Sequence, residues 1–108
     1  MNKAILGMAG NPDVLGELVS RVIAAGTAEF EVECKDGKEH VFAFNGTVGV
    51  GIATFRSDSE EAQILRSQFY ALKKKRRKFI RAGVEYGLRV NIFDSFGEDA
   101  FRGTITRS

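Results

Sequence analysis

The hydrophobic period changes early in the chain, and that change calls for a fold that mixes helix and sheet. Val14, Leu15, Leu18, Val19, Val22 and Ile23 recur at helical spacing and make one apolar stripe. Asn11 suits the N-cap, Pro12 the first helical position, and Asp13 and Glu17 the positive end of the helix. Gly26 is placed to end it as a C′ glycine. Then Glu29, Glu31 and Glu33 alternate with Phe30, Val32 and Cys34, the period of a strand with one wet face.

Lys35-Asp36-Gly37 marks a turn after that strand. A two-residue loop would pair Phe30 with Ala43 and leave Phe42 and Phe44 on the glutamate face. A three-residue bulged loop pairs Phe30 with Phe42 and gathers the aromatics on one face, so the pattern predicts the bulged turn. Asn45-Gly46 is the strongest two-residue hairpin signal in the chain and leads into a strand from Thr47 to Phe55. In that register Phe42 faces Gly49 and His40 faces Gly51, with large rings over bare backbone. Val48, Val50 and Ile52 point the other way, leaving the middle of the sheet apolar on both faces.

Ser57-Asp58-Ser59-Glu60-Glu61 offers overlapping N-cap choices, including Ser57 with Glu60 as a capping box, and Ala62, Leu65, Phe69, Leu72 and Phe79 continue at helical spacing. A second helix is therefore expected to run to about Ala82, with Gly83 ending it. Two strands close the chain, Glu85 to Phe93 and Ala100 to Arg107, joined through Asp94–Asp99. Ala4 to Met8 reads as a short strand or a loosely packed arm. The expected fold is α+β: two helices packed on a mainly antiparallel sheet of about five strands, in the order (β)-α-β-β-β-α-β-β. The α-β-β-β-α segment resembles the element order of a double-stranded-RNA-binding domain. Extended by two strands, it resembles that of type III secretion chaperones. Each resemblance covers element order and no motif.

The 108 residues are the size of one domain, and no linker, repeat or low-complexity tract divides them. Cys34 is the sole cysteine, which excludes an intrachain disulfide and a zinc cluster and favours a reducing compartment. Lys3 followed by Ala4–Gly10 faintly imitates a signal peptide, but the apolar stretch is barely long enough and Asn11-Pro12-Asp13 then opens a helix, so the signal reading is rejected. No apolar run spans a bilayer. A cytoplasmic protein without a membrane partner is expected.

Charge is the feature that points to a function. The run Lys73-Lys74-Lys75-Arg76-Arg77-Lys78, with Arg66 and Arg81, holds eight of the sixteen basic residues and no acid. The remainder has eight basic against fourteen acidic residues, so the formal net charge of +2 conceals a bipolar chain. As the end of a helix these cations would wrap the cylinder and meet several phosphates at once. The alternatives are a partner for the acidic surface within the molecule or in another subunit, and a solvated helix end compensating the dipole. Six adjacent cations exceed what dipole compensation needs, and their mutual repulsion destabilises. Arg89 and Arg102 are placed to extend the footprint. No aromatic platform accompanies the run, so base-specific reading is not expected.

Other candidates carry little chemistry. His40 lacks a second metal-ligating neighbour, and the Glu29-Glu31-Glu33 row reads as the solvated face of an edge strand. Lys35 and Lys38 beside Cys34 would lower its pKa, but His40 is its only candidate base and is not placed opposite it. Asp94, Glu98 and Asp99 read as turn formers. The Gly7–Pro12 stretch before the first helix matches no phosphate-loop spacing. The expectation is a non-enzymatic module, without a cofactor or metal, that presents a basic helix end to an anionic partner, nucleic acid or another polyanion. A homodimeric, chaperone-like adaptor is the second reading, and a ligand-binding domain with a pocket at Phe42, Phe44 and the glycine strand is the third.

Overall fold

A computed structural model describes residues 12–108. The element order is α1 (Val14–Ala24), β1 (Glu29–Lys35), β2 (Lys38–Asn45), β3 (Val48–Arg56), α2 (Glu60–Ala71), β4 (Arg76–Arg81), β5 (Val84–Ser95) and β6 (Glu98–Arg107). The strands form one six-stranded antiparallel sheet in the order β3-β2-β1-β6-β5-β4, and the two helices pack against it. The α+β class is as expected, with six strands instead of about five. The arm at Ala4–Met8, the Asn11 cap and the Gly7–Asn11 stretch lie outside the described residues.

α1 starts two residues later than its sequence signals suggest. Asp13 is the N-cap, its carboxylate accepting from Gly16 N–H at 3.0 Å, and Gly26 has the positive φ of a C′ residue, 76°. Val14, Leu15, Leu18, Val19 and Val22 are buried as the stripe requires. Of the overlapping cap choices at Ser57–Glu61, α2 uses Ser59, whose hydroxyl accepts from Ala62 N–H at 3.2 Å. Its buried face is Ala62, Leu65 and Phe69.

The helix-covered face of the sheet is lined by Phe30, Val32, Val41, Ala43, Leu88, Phe101 and Ile105. Phe69 stacks on Phe101 with centroids 4.6 Å apart and planes within 7°, and Phe30 lies 6.2 Å from Phe69. Gly103 faces Phe30, whose ring occupies the space a Cβ would need.

Turn chemistry fixes the register, and it differs from expectation. Asp36-Gly37, Ala82-Gly83 and Phe96-Gly97 are two-residue loops with positive φ at both positions, the type I′ geometry whose twist matches that of the strands. The expected three-residue bulged turn is therefore replaced by the shorter loop. Phe30 pairs with Ala43 and Val32 with Val41 beneath the helices. His40, Phe42 and Phe44 join the glutamate face. The next loop is Gly46-Thr47, with positive φ only at Gly46, a type II′ turn one residue beyond the Asn45-Gly46 signal. Phe44 thus faces Gly49 and Phe42 faces Gly51. The glycines leave room for these rings on the outer face, and Val41 and Ala43 suit the space under the helices. A bulge follows between Val41 and Phe42.

The largest departure is the second half of the expected long helix. α2 stops at Ala71, Leu72 N–H donates to Phe69 C=O, and Lys74 adopts a left-handed conformation with φ 65°. Arg76–Arg81 is then a strand paired with Val84–Arg89. Gly83 acts as a hairpin glycine and not as a helix stop. Extended geometry sends neighbouring cations to opposite faces, whereas a helix would have stacked them at i+3 and i+4.

Phe96 is fully exposed and sits at a positive φ of 53°, a position that disfavours a bulky side chain. Asn followed by Gly suits this turn better, and no burial is lost on truncation. F96N is expected to stabilise the protein by about 0.5–1 kcal/mol, read from a chemical-denaturation midpoint at unchanged slope.

Candidate anion-binding notch

The eight cations singled out by sequence separate into two sets. Arg66, on α2, reaches to the sheet, Arg77, on β4, turns toward the helices, and both are neutralised. Arg66 Nη1 lies 2.9 Å from Glu39 Oε1, and its Nη2 donates to the Ser57 carbonyl at 3.1 Å. Glu39 is buried on β2, and its second oxygen accepts from Ser57 Oγ at 2.6 Å. This network ties α2 to the sheet, so Arg66 is a structural cation. Arg77 forks onto Asp13, the cap of α1, with its guanidinium 4.3 Å above the Phe79 ring. Gln68 Nε2 donates to the same carboxylate at 2.8 Å, which links α1, α2 and β4 at one point.

Lys73, Lys74, Lys75, Arg76, Lys78 and Arg81 remain exposed. Lys78 Nζ lies 3.8 Å from Glu85, a solvated pair of small consequence. Arg81 stands at the far end of β4. Lys74, Lys75 and Arg76 converge with Arg89 and Val90 around a notch of about 270 Å³. Its shape follows from strand lengths: β5 runs from Val84 to Ser95, but β4 pairs with it only through Arg89. Past Arg89 the outer margin of β5 has no strand beside it among the described residues, and the Lys73–Lys75 connection borders that gap.

Arg76 and Arg89 are direct cross-strand partners. Like charges placed directly opposite destabilise a sheet. Among the described residues no carboxylate lies within 4.0 Å of Lys74, Lys75, Arg76 or Arg89. Arg76 lies along the sheet over Gly87, which carries no side chain to displace it. Arg102, the other expected extension, donates instead to Glu31 on β1. That bond raises the Arg102 pKa. β1 is central and not an edge strand, and Glu31 is buried to 8% exposure.

Cys34 and His40 lie on opposite faces of the sheet. Cys34 Sγ is 3.5 Å from Ser57 Oγ on the helix side, and His40 stacks on Phe42 on the outer side. The Ser57 hydrogen bond pulls the Cys34 thiol down, but burial and the nearby Glu39 and Glu98 outweigh it, and the net shift is upward. Tyr70 donates to Asp99, which raises the tyrosine pKa. Among the described residues no group of three or more His, Cys, Asp or Glu side chains could hold a metal ion, and no helix is long and apolar enough to cross a membrane.

Sequence reasoning found the cations but not their sorting. The missed residue pair is Arg76 with Arg89; its signal was the alternation of Arg77 and Phe79 against Arg76, Lys78 and Ile80, followed by an X-Gly turn. The chain matches no protein-family model and no curated protein.

The Arg77 hydrogen bonds, aided by those from Gly16 and Gln68, lower the Asp13 pKa to about 2. Asp13 is more acidic folded than unfolded, so its contribution is present above about pH 4 and is lost as pH falls toward 2. Asn preserves the helix cap without the charge. D13N is therefore expected to lower the melting temperature at pH 6, with the gap from wild type closing by pH 2; a constant gap would mean the charge is immaterial.

Proposed function

We propose that the chain is a non-catalytic binding module that takes an anionic partner in the notch, and that the partner is the phosphate backbone of a nucleic acid. One observation carries this reading: two arginines face each other across a strand pair with two lysines beside them, and among the described residues no acid neutralises any of the four. A purely structural sheet gains from an opposite charge at either position. An anion between Arg76 and Arg89 converts their repulsion into two charge-assisted contacts. Arg66, Arg77 and Arg102 have carboxylate partners, and the contrast with the four notch cations supports this reading.

Among the described residues no aromatic ring lines the notch, so stacking on bases has no support there and the binding is sequence-independent. The site differs from the expected basic helix end, since the cations are carried by a tight connection and two strands. A non-catalytic role accords with a thiol held away from the only histidine and shifted away from ionisation.

Fluorescence anisotropy with a labelled RNA or DNA duplex over a salt series tests this. Four phosphate contacts give a slope of log K against log[salt] of about −3.6, a loss of roughly 100-fold between 50 and 200 mM salt for a DNA duplex. R89E is expected to weaken binding at least about tenfold and to flatten the slope. Its melting temperature should equal or exceed that of wild type, because the substitution turns a like-charged cross-strand pair into an opposite one. Absence of binding at low salt, or indifference to R89E, refutes the proposal.

A further inference from the structure

The two margins of the sheet are unlike. β4 carries Arg76, Arg77, Lys78 and Arg81 among six residues, and such charge guards an edge against pairing with another sheet. β3 at the opposite margin has no charged residue from Val48 to Phe55, no proline, and two outward β-branched side chains, Val48 at 63% and Val50 at 58% exposure. An uncharged, apolar edge of this kind is a template for strand addition.

The register of the neighbouring hairpin determines which groups β3 offers. Asn45 and Val48 close a two-residue loop, and the closing pair of such a hairpin exchanges both of its backbone hydrogen bonds. Val50, opposite Ala43, likewise turns its backbone groups toward β2. By alternation the N–H and C=O of Gly49 and Gly51 point away from the sheet. The segment is bounded on one side by the Gly46-Thr47 turn. On the other it meets the bulge, where the Ile52 carbonyl accepts from Arg21 Nη1 at 3.5 Å.

We infer that β3 is a homodimer edge, and that it pairs antiparallel with β3 of a second copy about a two-fold axis passing through Val50. In this register Gly49 of one copy faces Gly51 of the other, and these two pairs supply four hydrogen bonds from the outward backbone groups. Val50 meets its own counterpart at a non-hydrogen-bonded position, where side chains approach most closely. Val48 meets the counterpart of Ile52 beside it. Directly opposed residues share a face, so the exposed valines of both copies gather on the helix side. Glycine opposite glycine leaves the outer face free of clashes, where Phe44 already covers Gly49.

Self-complementarity selects a second copy as the occupant. β4 pairing with β4 sets cations against cations, and β3 pairing with β4 is head-to-tail and does not close. β3 with β3 is closed, uncharged and symmetric. The result is a twelve-stranded sheet with the two notches at its outer margins, so it leaves both basic sites open and does not depend on what they bind.

Sedimentation equilibrium over a concentration series is expected to give the mass of two chains, and V50K, a change at an exposed position, is expected to halve it with the circular dichroism unchanged. In a C34S background, V50C is expected to form an interchain disulfide under mild oxidation, because the two Val50 Cβ atoms lie about 4.5–5.5 Å apart in this register. A wild-type chain that stays monomeric at every concentration overturns the inference. So does a dimer that V50K leaves intact, since its interface would then lie elsewhere.

Discussion

The sheet is joined in the middle by a short junction. β1 and β6 pair over four residue pairs, from Glu29 with Thr104 to Val32 with Phe101, and this is where the first three strands meet the last three. Both faces of the junction are reinforced. On the helix side the Phe69 ring lies flat on Phe101 and close to Phe30, so α2 clamps the two strands from above. On the outer side Arg102 of β6 donates to Glu31 of β1 across the same seam. Gly103 permits the clamp, since a side chain there would displace Phe30. Stacked, fully buried aromatics contribute beyond their area, about 0.5–1.5 kcal/mol per pair.

Once the junction is set, the helices need fixed positions, and buried or shared polar groups supply them. Glu39 is anchored by Arg66 from α2 and by Ser57 from the connection that precedes α2. Breaking one partner of such a pair is more damaging than the pair's net contribution, because the other charge stays buried. Asp13 plays the same part at the opposite end, receiving Arg77 from β4 and Gln68 from α2 while capping α1. Two carboxylates thus hold both helices and the edge strand β4 in one arrangement.

How much of this was legible follows the range of the forces involved. The α1 stripe, the three-strand meander, the start of α2 and the closing hairpin are local patterns, and they were readable from spacing alone. The hairpin registers were not, because Asp36-Gly37 and Asn45-Gly46 each admit loops differing by one residue. The choice is made by what fits beneath the helices: Val41 and Ala43 under them, Phe42 and Phe44 outside against glycines. The second half of the expected helix failed for the same kind of reason. Leu72 and Phe79 fit a helical stripe, but Phe79 as a strand residue pairs with Tyr86 and lies under the Arg77 guanidinium. That tertiary gain is invisible to a local reading. The cations were legible as a group, but their partners were not, since Asp13, Glu31 and Glu39 are distant in sequence.

The strand conformation also explains how one chain carries so concentrated a charge. On a helix the six consecutive cations repel one another around a single cylinder, and no neighbour can separate them. On the turn and strand they are sorted by direction. Arg77 goes inward to a carboxylate and an aromatic face, Arg76 goes outward, and Lys73–Lys75 occupy the connection between α2 and β4. Alternation thereby converts a run of like charges into one structural ion pair and one unneutralised cluster. The same strand leaves β4 too positive to add to another sheet, while β3 across the molecule carries no charge from Val48 to Phe55 to prevent it. Alternation within one strand thus leaves an unneutralised cationic cluster at one margin of the sheet and an uncharged stretch, Val48–Phe55, at the other.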